Sequence, residues 1–284
     1  MMRFGGAVTL NGFIVYIAYN LEKVLLGRFW GVEAIGIYGR AYQLVNIPTE
    51  NLNGAVGEVA FSALSRVQKD PGLLRTYFLK GYSLVIAMSI PITVLCAVFA
   101  NDVILVVLGP KWMDVVPIFQ LLTPTMIIFA MINPFAWLLF ATGNVARSLK
   151  LALVLSPLVI AGYVAGLPYG PRGVALGFSA AMTLWVVPHI AWSVHGTSIS
   201  FRDVVGAAGR PIVSGLAAAG ATLLGRGAYA GIPSPVLRLA VGGSIFMAVY
   251  AVMLLYVMGQ SEFYTGLVRT MRARTAGEAV PSPV

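Results

Sequence analysis

From Val115 to Ala146 the chain carries no charged residue, and a second such run extends from Leu239 to Ser261. An apolar run that long matches the roughly 20 residues an α-helix needs to cross a hydrocarbon core about 30 Å thick. In lipid the backbone must satisfy its own hydrogen bonds, so these runs predict helices and leave loops or open sheets little place. Composition extends the inference to the whole chain. Only 10% of its 284 residues are charged and mean hydropathy is +0.85, whereas a soluble domain is about a quarter charged. We therefore expect an all-α integral membrane protein. Apolar segments at about 5–27, 36–62, 78–100, 115–141, 150–168, 173–194, 207–225 and 237–259 predict about eight transmembrane helices. The stretch "NDVILVVLGPKWMD" between the third and fourth is too short to span and reads as a helix extension or interfacial turn.

Charge gives topology and excludes other classes. The net charge of +9 is spread between apolar segments, which speaks for membrane orientation and against nucleic acid. Twelve Lys and Arg fall on the side of both termini against seven on the other, out of 19 in all; both termini are expected in the cytoplasm. "MMRFGG" leads into a segment holding Asn11, Asn20 and Glu22, and no signal peptide is expected there. Cys96 is the one cysteine and reads as a small buried hydrophobe. His189 and His195 have no cysteine or carboxylate at ligand spacing, so no metal site is expected. "GPRGVALG" lacks the Gly-Lys-Ser/Thr ending of a phosphate loop. No catalytic constellation and no cofactor are expected. The tail 263–284, basic and then small and polar, reads as a disordered cytoplasmic segment.

The second segment breaks the apolar pattern. Along "GIYGRAYQLVNIPTENLNGAVGE", Arg40, Gln43, Ile47, Glu50, Gly54 and Gly57 fall on one helical stripe, with Asn46 and Asn53 beside it. Ile37, Leu44, Val45, Leu52, Val56 and Val59 occupy the other face. An ionised side chain at bilayer depth costs at least ~2.5–3.5 kcal/mol on insertion scales, so such groups line wet cavities and pair with one another. The first segment ends "YNLEKVLLGRFWG" and brings Asn20, Glu22, Lys23 and Arg28 to the end that holds Arg40. The cavity is expected where these two segments meet. Prolines within the spans, Pro48 foremost, mark helices that bend.

These residues carry a resemblance. "YNLEKVLLGRFWGVEAIGIYGRAYQLVNIPTENL" followed by "AFSALSRVQKDPGLLRTYFLKG" resembles bacterial polysaccharide flippases, the lipopolysaccharide and exopolysaccharide exporters of the multidrug/oligosaccharidyl-lipid/polysaccharide exporter superfamily. The matching elements are Asn20-Leu-Glu22, Leu26-Gly27, "AIGIYGRAYQLVNIP", "SALSRVQKD" and Leu108-Gly109 with Trp112. The likeness is strong over about 5–140. Glu22 stands where aspartate is usual, and Phe61-Ser62 where proline is common. The family implies two six-helix bundles, often with two extra helices, and this chain resembles the second bundle with the trailing pair. Residues 1–200 would form the six-helix bundle and 201–262 the two additional helices. An N-terminal six-helix half, or a second chain, would complete the central cavity.

The resemblance further implies export of an undecaprenyl-diphosphate-linked oligosaccharide across the bacterial inner membrane. Partners would be this lipid-linked oligosaccharide and membrane lipid. Arg40, Lys23 and Arg28 are candidates for the diphosphate. Gln43, Asn46, Glu50 and Asn53 suit sugar hydroxyls, together with Asn20. Glu22 and Glu50 are candidates for H⁺ or Na⁺ coupling. A drug antiporter of the same superfamily would be favoured by a mostly aromatic cavity with one acidic residue. A half-length membrane scaffold that does not transport is the third reading.

Overall fold

The structure, a computed structural model, describes residues 2–261, with the side chains of 2–5, 7 and 8 left undescribed; the tail expected over 263–284 lies outside the described residues. Helices account for every long element: α1 (Met2–Val67), α2 (Pro71–Val98), the short α3 (Ala100–Val107), α4 (Val115–Ala141), α5 (Val145–Gly166), α6 (Gly170–Val194), α7 (Phe201–Leu224) and α8 (Pro235–Val252). Among the described residues, Pro71–Val98, Val115–Ala141, Val145–Val194, Phe201–Ala228 and Pro235–Val257 are long and apolar enough to cross a membrane. The third of these is a hairpin of two helices, α5 and α6, turning at Gly170 with φ 70°. The chain is an all-α integral membrane protein.

The first two expected segments form one helix of 66 residues, interrupted only at Gly31 (φ 81°, ψ −177°). Sequence reading places a loop near residues 27–36. In its stead the backbone pivots at a single residue, in a conformation that only glycine adopts without strain. This divides α1 into arms 2–30 and 32–67. Beside the pivot, Trp30 donates its indole N–H to the Leu167 carbonyl at 2.8 Å and thereby ties the bend to the α5–α6 turn.

Helix starts and breaks have local causes. Asp70 caps α2, accepting from the backbone N–H of Gly72 at 2.9 Å and Leu73 at 3.0 Å, with Pro71 at the first helical position, where no N–H is needed. Ser200 and Asp203 form a reciprocal capping box at the start of α7,. Asp203 also takes a bidentate pair from Arg75, at 2.6 and 2.8 Å, joining the starts of α2 and α7. Within spans, a proline leaves the carbonyl four residues earlier without its partner. Pro124 frees the Gln120 carbonyl, and the Thr123 hydroxyl donates to it at 2.9 Å. Pro91 frees the Ala87 carbonyl, and the Tyr250 hydroxyl reaches across from α8 to donate to it at 2.9 Å.

Packing arranges these helices around two cores. In one, Leu26, Tyr38, Ala41 and Val45 of α1 meet Phe119, Leu122, Phe129, Tyr163 and Phe178 of α4, α5 and α6. In the other, Phe78, Tyr82 and Ile86 of α2 meet Phe135 of α4, Ala218 of α7 and Phe246 of α8. The α5–α6 crossing is close because Gly162 faces Gly177 and Gly166 faces Gly173, each too near the opposite backbone to admit a Cβ. Small residues at i, i+4 spacing are how membrane helices approach so nearly.

Because the Tyr250 hydroxyl bridges α8 to the proline break in α2, Tyr250→Phe is expected to destabilise the detergent-solubilised protein by about 0.6–2 kcal/mol. Chemical unfolding followed by circular dichroism measures this. An unchanged midpoint would mean that the Ala87 carbonyl finds another donor.

Candidate functional site: a polar cavity between the arms of the first helix

The two arms of α1 and the middle of α4 line an open cavity of about 820 Å³. The first arm contributes Gly12, Val15, Tyr16, Tyr19, Asn20 and Lys23, a spacing of three and four that keeps them on one helical face. The second arm contributes Gly39, Tyr42, Gln43, Asn46, Ile47, Thr49, Glu50 and Asn53, and α4 adds Phe129 and Asn133.

Polar atoms on the wall are partly spoken for. Lys23 Nζ donates to Asn20 Oδ1 at 2.6 Å, and Asn20 Nδ2 donates to the Tyr16 carbonyl at 2.8 Å. Asn46 Nδ2 donates to Glu50 Oε1 at 2.5 Å one turn along the second arm. Asn53 Oδ1 is buried without a partner among the described residues. One cation, Lys23, and one carboxylate, Glu50, therefore share a wall with five amides and four aromatic rings. The arrangement can bind by hydrogen bonding and ring stacking.

Six of the nine residues named from sequence line this cavity: Asn20, Lys23, Gln43, Asn46, Glu50 and Asn53. Arg40, Arg28 and Glu22 do not. Arg40 is exposed, donates to Gln43 Oε1 at 3.1 Å, and lies 5.6 Å from the centre of the Trp112 ring. Arg28 is exposed next to the Gly31 pivot. Glu22 departs furthest from expectation. It is fully buried, with neither carboxylate oxygen partnered among the described residues. The helical register explains why. Glu22 stands between Ala18 and Leu26, which are 1% and 0% exposed, on the stripe that packs inward, while Lys23, about 100° further round, faces the cavity.

Around Glu22 the hydroxyls of Tyr38 and Tyr163 are also buried and unpartnered among the described residues. Both tyrosines lie within electrostatic reach of the carboxylate, as does Tyr42. Phe178 closes the group, its ring 5.6 Å from Tyr163 and 6.2 Å from Tyr42. No cluster of three His, Cys, Asp or Glu side chains is present among the described residues.

Sequence reasoning missed the aromatic wall and the share of α4. Tyr16, Tyr19 and Tyr42 follow the spacing of the polar residues and could have been drawn onto the same face. Asn133 is a polar side chain within the most apolar span, beside Pro134, and that incongruity is its signal.

Comparison with known proteins agrees with this architecture. Residues 1–117 match a family described as "Polysaccharide biosynthesis protein". The chain is 32% identical over 182 residues to the lipopolysaccharide biosynthesis protein WzxC of Escherichia coli (strain K12), covering 62% of this chain and 36% of that one. It is 33% identical over 140 residues to the teichuronic acid biosynthesis protein TuaB of Bacillus subtilis (strain 168), covering 49% and 29%. Among solved structures, the lipid II flippase MurJ in an inward closed conformation shares the fold, with a TM-score of 0.70, 17% identity, and coverage of 91% of this chain and 53% of that one. The chain thus spans about a third of the length of these curated relatives. Together the sequence matches bear out the likeness to bacterial polysaccharide biosynthesis proteins that the motifs carry, and MurJ bears out the fold.

If the hydroxyl of Tyr38 has no partner, Tyr38→Phe measured in sodium-free detergent buffer should change stability by less than about 0.5 kcal/mol, below the range expected for a lost bond at Tyr250. A cost equal to that of Tyr250→Phe would reveal a hydrogen bond at Tyr38.

Proposed function

We propose that this chain forms one half of a flippase that carries an oligosaccharide on a polyprenyl diphosphate across the bacterial inner membrane, for cell-surface polysaccharide synthesis. The observation that carries the reading is the make-up of the α1 cavity: amides outnumber aromatic rings five to four, and Lys23 sits among them. Amide groups donate and accept at once, which suits sugar hydroxyls. Tyrosine rings offer flat apolar faces to the C–H faces of a sugar. The ammonium of Lys23 serves the diphosphate, and Arg40 at the end of the second arm extends that positive field. Arg28 is the outermost of the three cations. A drug antiporter would call for a mainly aromatic wall around one acid, and the amides argue against it. The roles of WzxC and TuaB in surface polysaccharide biosynthesis, and of MurJ as a lipid II flippase, favour the same reading.

In this scheme residues 1–200 form a six-helix bundle and 201–262 an appended pair. A second bundle, from the same polypeptide or a separate chain, closes the cavity on its open side. This is supported by the extent of the match to MurJ, 53% of that chain. The excess of Lys and Arg on the side of the termini supports a cytoplasmic location for both.

Glu22 is the coupling residue in this proposal, in preference to Glu50. A buried ionised carboxylate with no partner is costly, so the group calls for a proton or a monovalent cation. The hydroxyl oxygens of Tyr38 and Tyr163 and both oxygens of Glu22 are unpartnered among the described residues and would supply oxygen ligands suited to Na⁺. Glu50, held by Asn46, belongs to the cargo surface.

The test is export of surface polysaccharide in cells that depend on the complete transporter. Lys23→Ala and Glu22→Gln are each expected to lower export at least about ten-fold, equivalent to about 1.4 kcal/mol, at unchanged protein levels. Full export in both variants would refute the proposal.

A further inference from the structure

A second hollow, of about 420 Å³, opens where α2 and α7 end and α4 and α8 begin. Its size is within the ~300–1,000 Å³ of small-molecule sites, and it shares no residue with the α1 cavity. Asn101 and Asp102 of α3, Gln120 of α4, Arg226 after α7 and Arg238 of α8 form its polar wall. Phe99 and Tyr229, ring centres 5.5 Å apart, form an apolar side.

The charges are unevenly committed. Asp102 Oδ1 accepts from Arg238 Nε at 3.0 Å and also from Nη2, while its Oδ2 accepts no hydrogen bond among the described residues. Arg238 Nη1 donates to the Ile232 carbonyl at 3.3 Å. Arg226 is exposed and its guanidinium makes no hydrogen bond or ion pair among the described residues, and the side-chain amides of Asn101 and Gln120 are likewise unengaged. Two arginines against one aspartate leave a net charge of +1 on the wall. Leu223 on the wall, and Leu224, Val236 and Leu237 next in sequence to it and to the start of α8, are exposed, Leu224 at 90%.

We propose that this hollow binds the phosphodiester headgroup of a membrane phospholipid whose head carries hydroxyls, of the phosphoglycerol class. The free planar fork of Arg226 matches two phosphate oxygens. A single surplus positive charge matches the single negative charge of a phosphodiester. Asp102 Oδ2 and the two amides accept and donate to glycerol hydroxyls, which a choline head lacks. The leucine and valine collar takes the acyl chains, holding the lipid against the junction of α3, α7 and α8.

The experiment uses the 284-residue chain in nanodiscs of phosphatidylcholine containing a minor share of phosphatidylglycerol. Native mass spectrometry counts the lipids that leave with the protein. Wild type is expected to retain phosphatidylglycerol above its share of the bilayer. Arg226→Gln, an exposed position whose change leaves the helices intact by circular dichroism, should reduce that enrichment about five-fold or more. Arg172→Gln, also exposed at that end of the helices but outside the hollow, should retain it. Equal loss in both variants, or no enrichment in wild type, would overturn the proposal. Soluble glycerophosphoglycerol at millimolar concentration should leave the lipid in place. Displacement by it would assign the hollow to a free phosphodiester and overturn the lipid assignment.

Discussion

An ammonium and a carboxylate on successive residues, Lys23 and Glu22, cannot share one environment on a helix, and both stand within a membrane protein. Each charge inside the hydrocarbon region costs at least ~2.5–3.5 kcal/mol unless water or a partner relieves it. The first arm of α1 meets this constraint by turning Lys23 into an open cavity, hydrogen-bonded to Asn20, and Glu22 into packed protein. The position of the second arm follows from the same demand. Its amides and Glu50 need water or cargo, while Tyr38, Ala41 and Val45 are 1%, 0% and 0% exposed and need the core. One helix pair thus separates a wet face from a dry one, and Glu22 lies on the dry side.

The remaining helices hold this division in place. Trp30 pins the Gly31 pivot to the α5–α6 turn, and the glycine-to-glycine crossing of α5 and α6 brings Tyr163 and Phe178 together behind Glu22. The second core ties α7 and α8 to α2 and α4, so the trailing pair is packed into the body and does not trail from it. The carbonyls freed by Pro124 and Pro91 are met by hydroxyls, one from the neighbouring turn and one from another helix. At these two prolines the break in the helix leaves no carbonyl stranded in lipid.

Much of this was legible in the sequence, for physical reasons. Hydropathy located the helices from α2 onward, because a bilayer tolerates little else, while the two arms of α1 are too polar to be found by hydropathy alone. The helical period placed Gln43, Asn46, Glu50 and Asn53 on a common face, and the structure puts all four on the cavity wall. The same period, applied to Ala18, Glu22 and Leu26, puts Glu22 on an apolar stripe; its polarity alone groups it with Lys23, and register separates them,. The helical continuity across residues 27–36 was hidden, since one glycine can redirect a chain that otherwise reads as a loop. Arg40 was legible as a cation but not as a partner of Trp112, because α4 and the turn before it are distant in sequence. The tyrosines around Glu22 come from α1 and α5, and only tertiary packing brings them together.

The central claim is that one face of each α1 arm is wet and the adjoining face dry. Spin labels placed singly along residues 12–26 and 39–53, in a Cys96→Ala background and in lipid nanodiscs, report contact with deuterated water by pulsed electron paramagnetic resonance. The account predicts maxima at positions 16, 20, 23, 43, 46 and 50, and minima at 18, 26, 41 and 45, repeating with the helical period. Labels at 20, 43 and 46 as dry as those at 26 and 45 would contradict it.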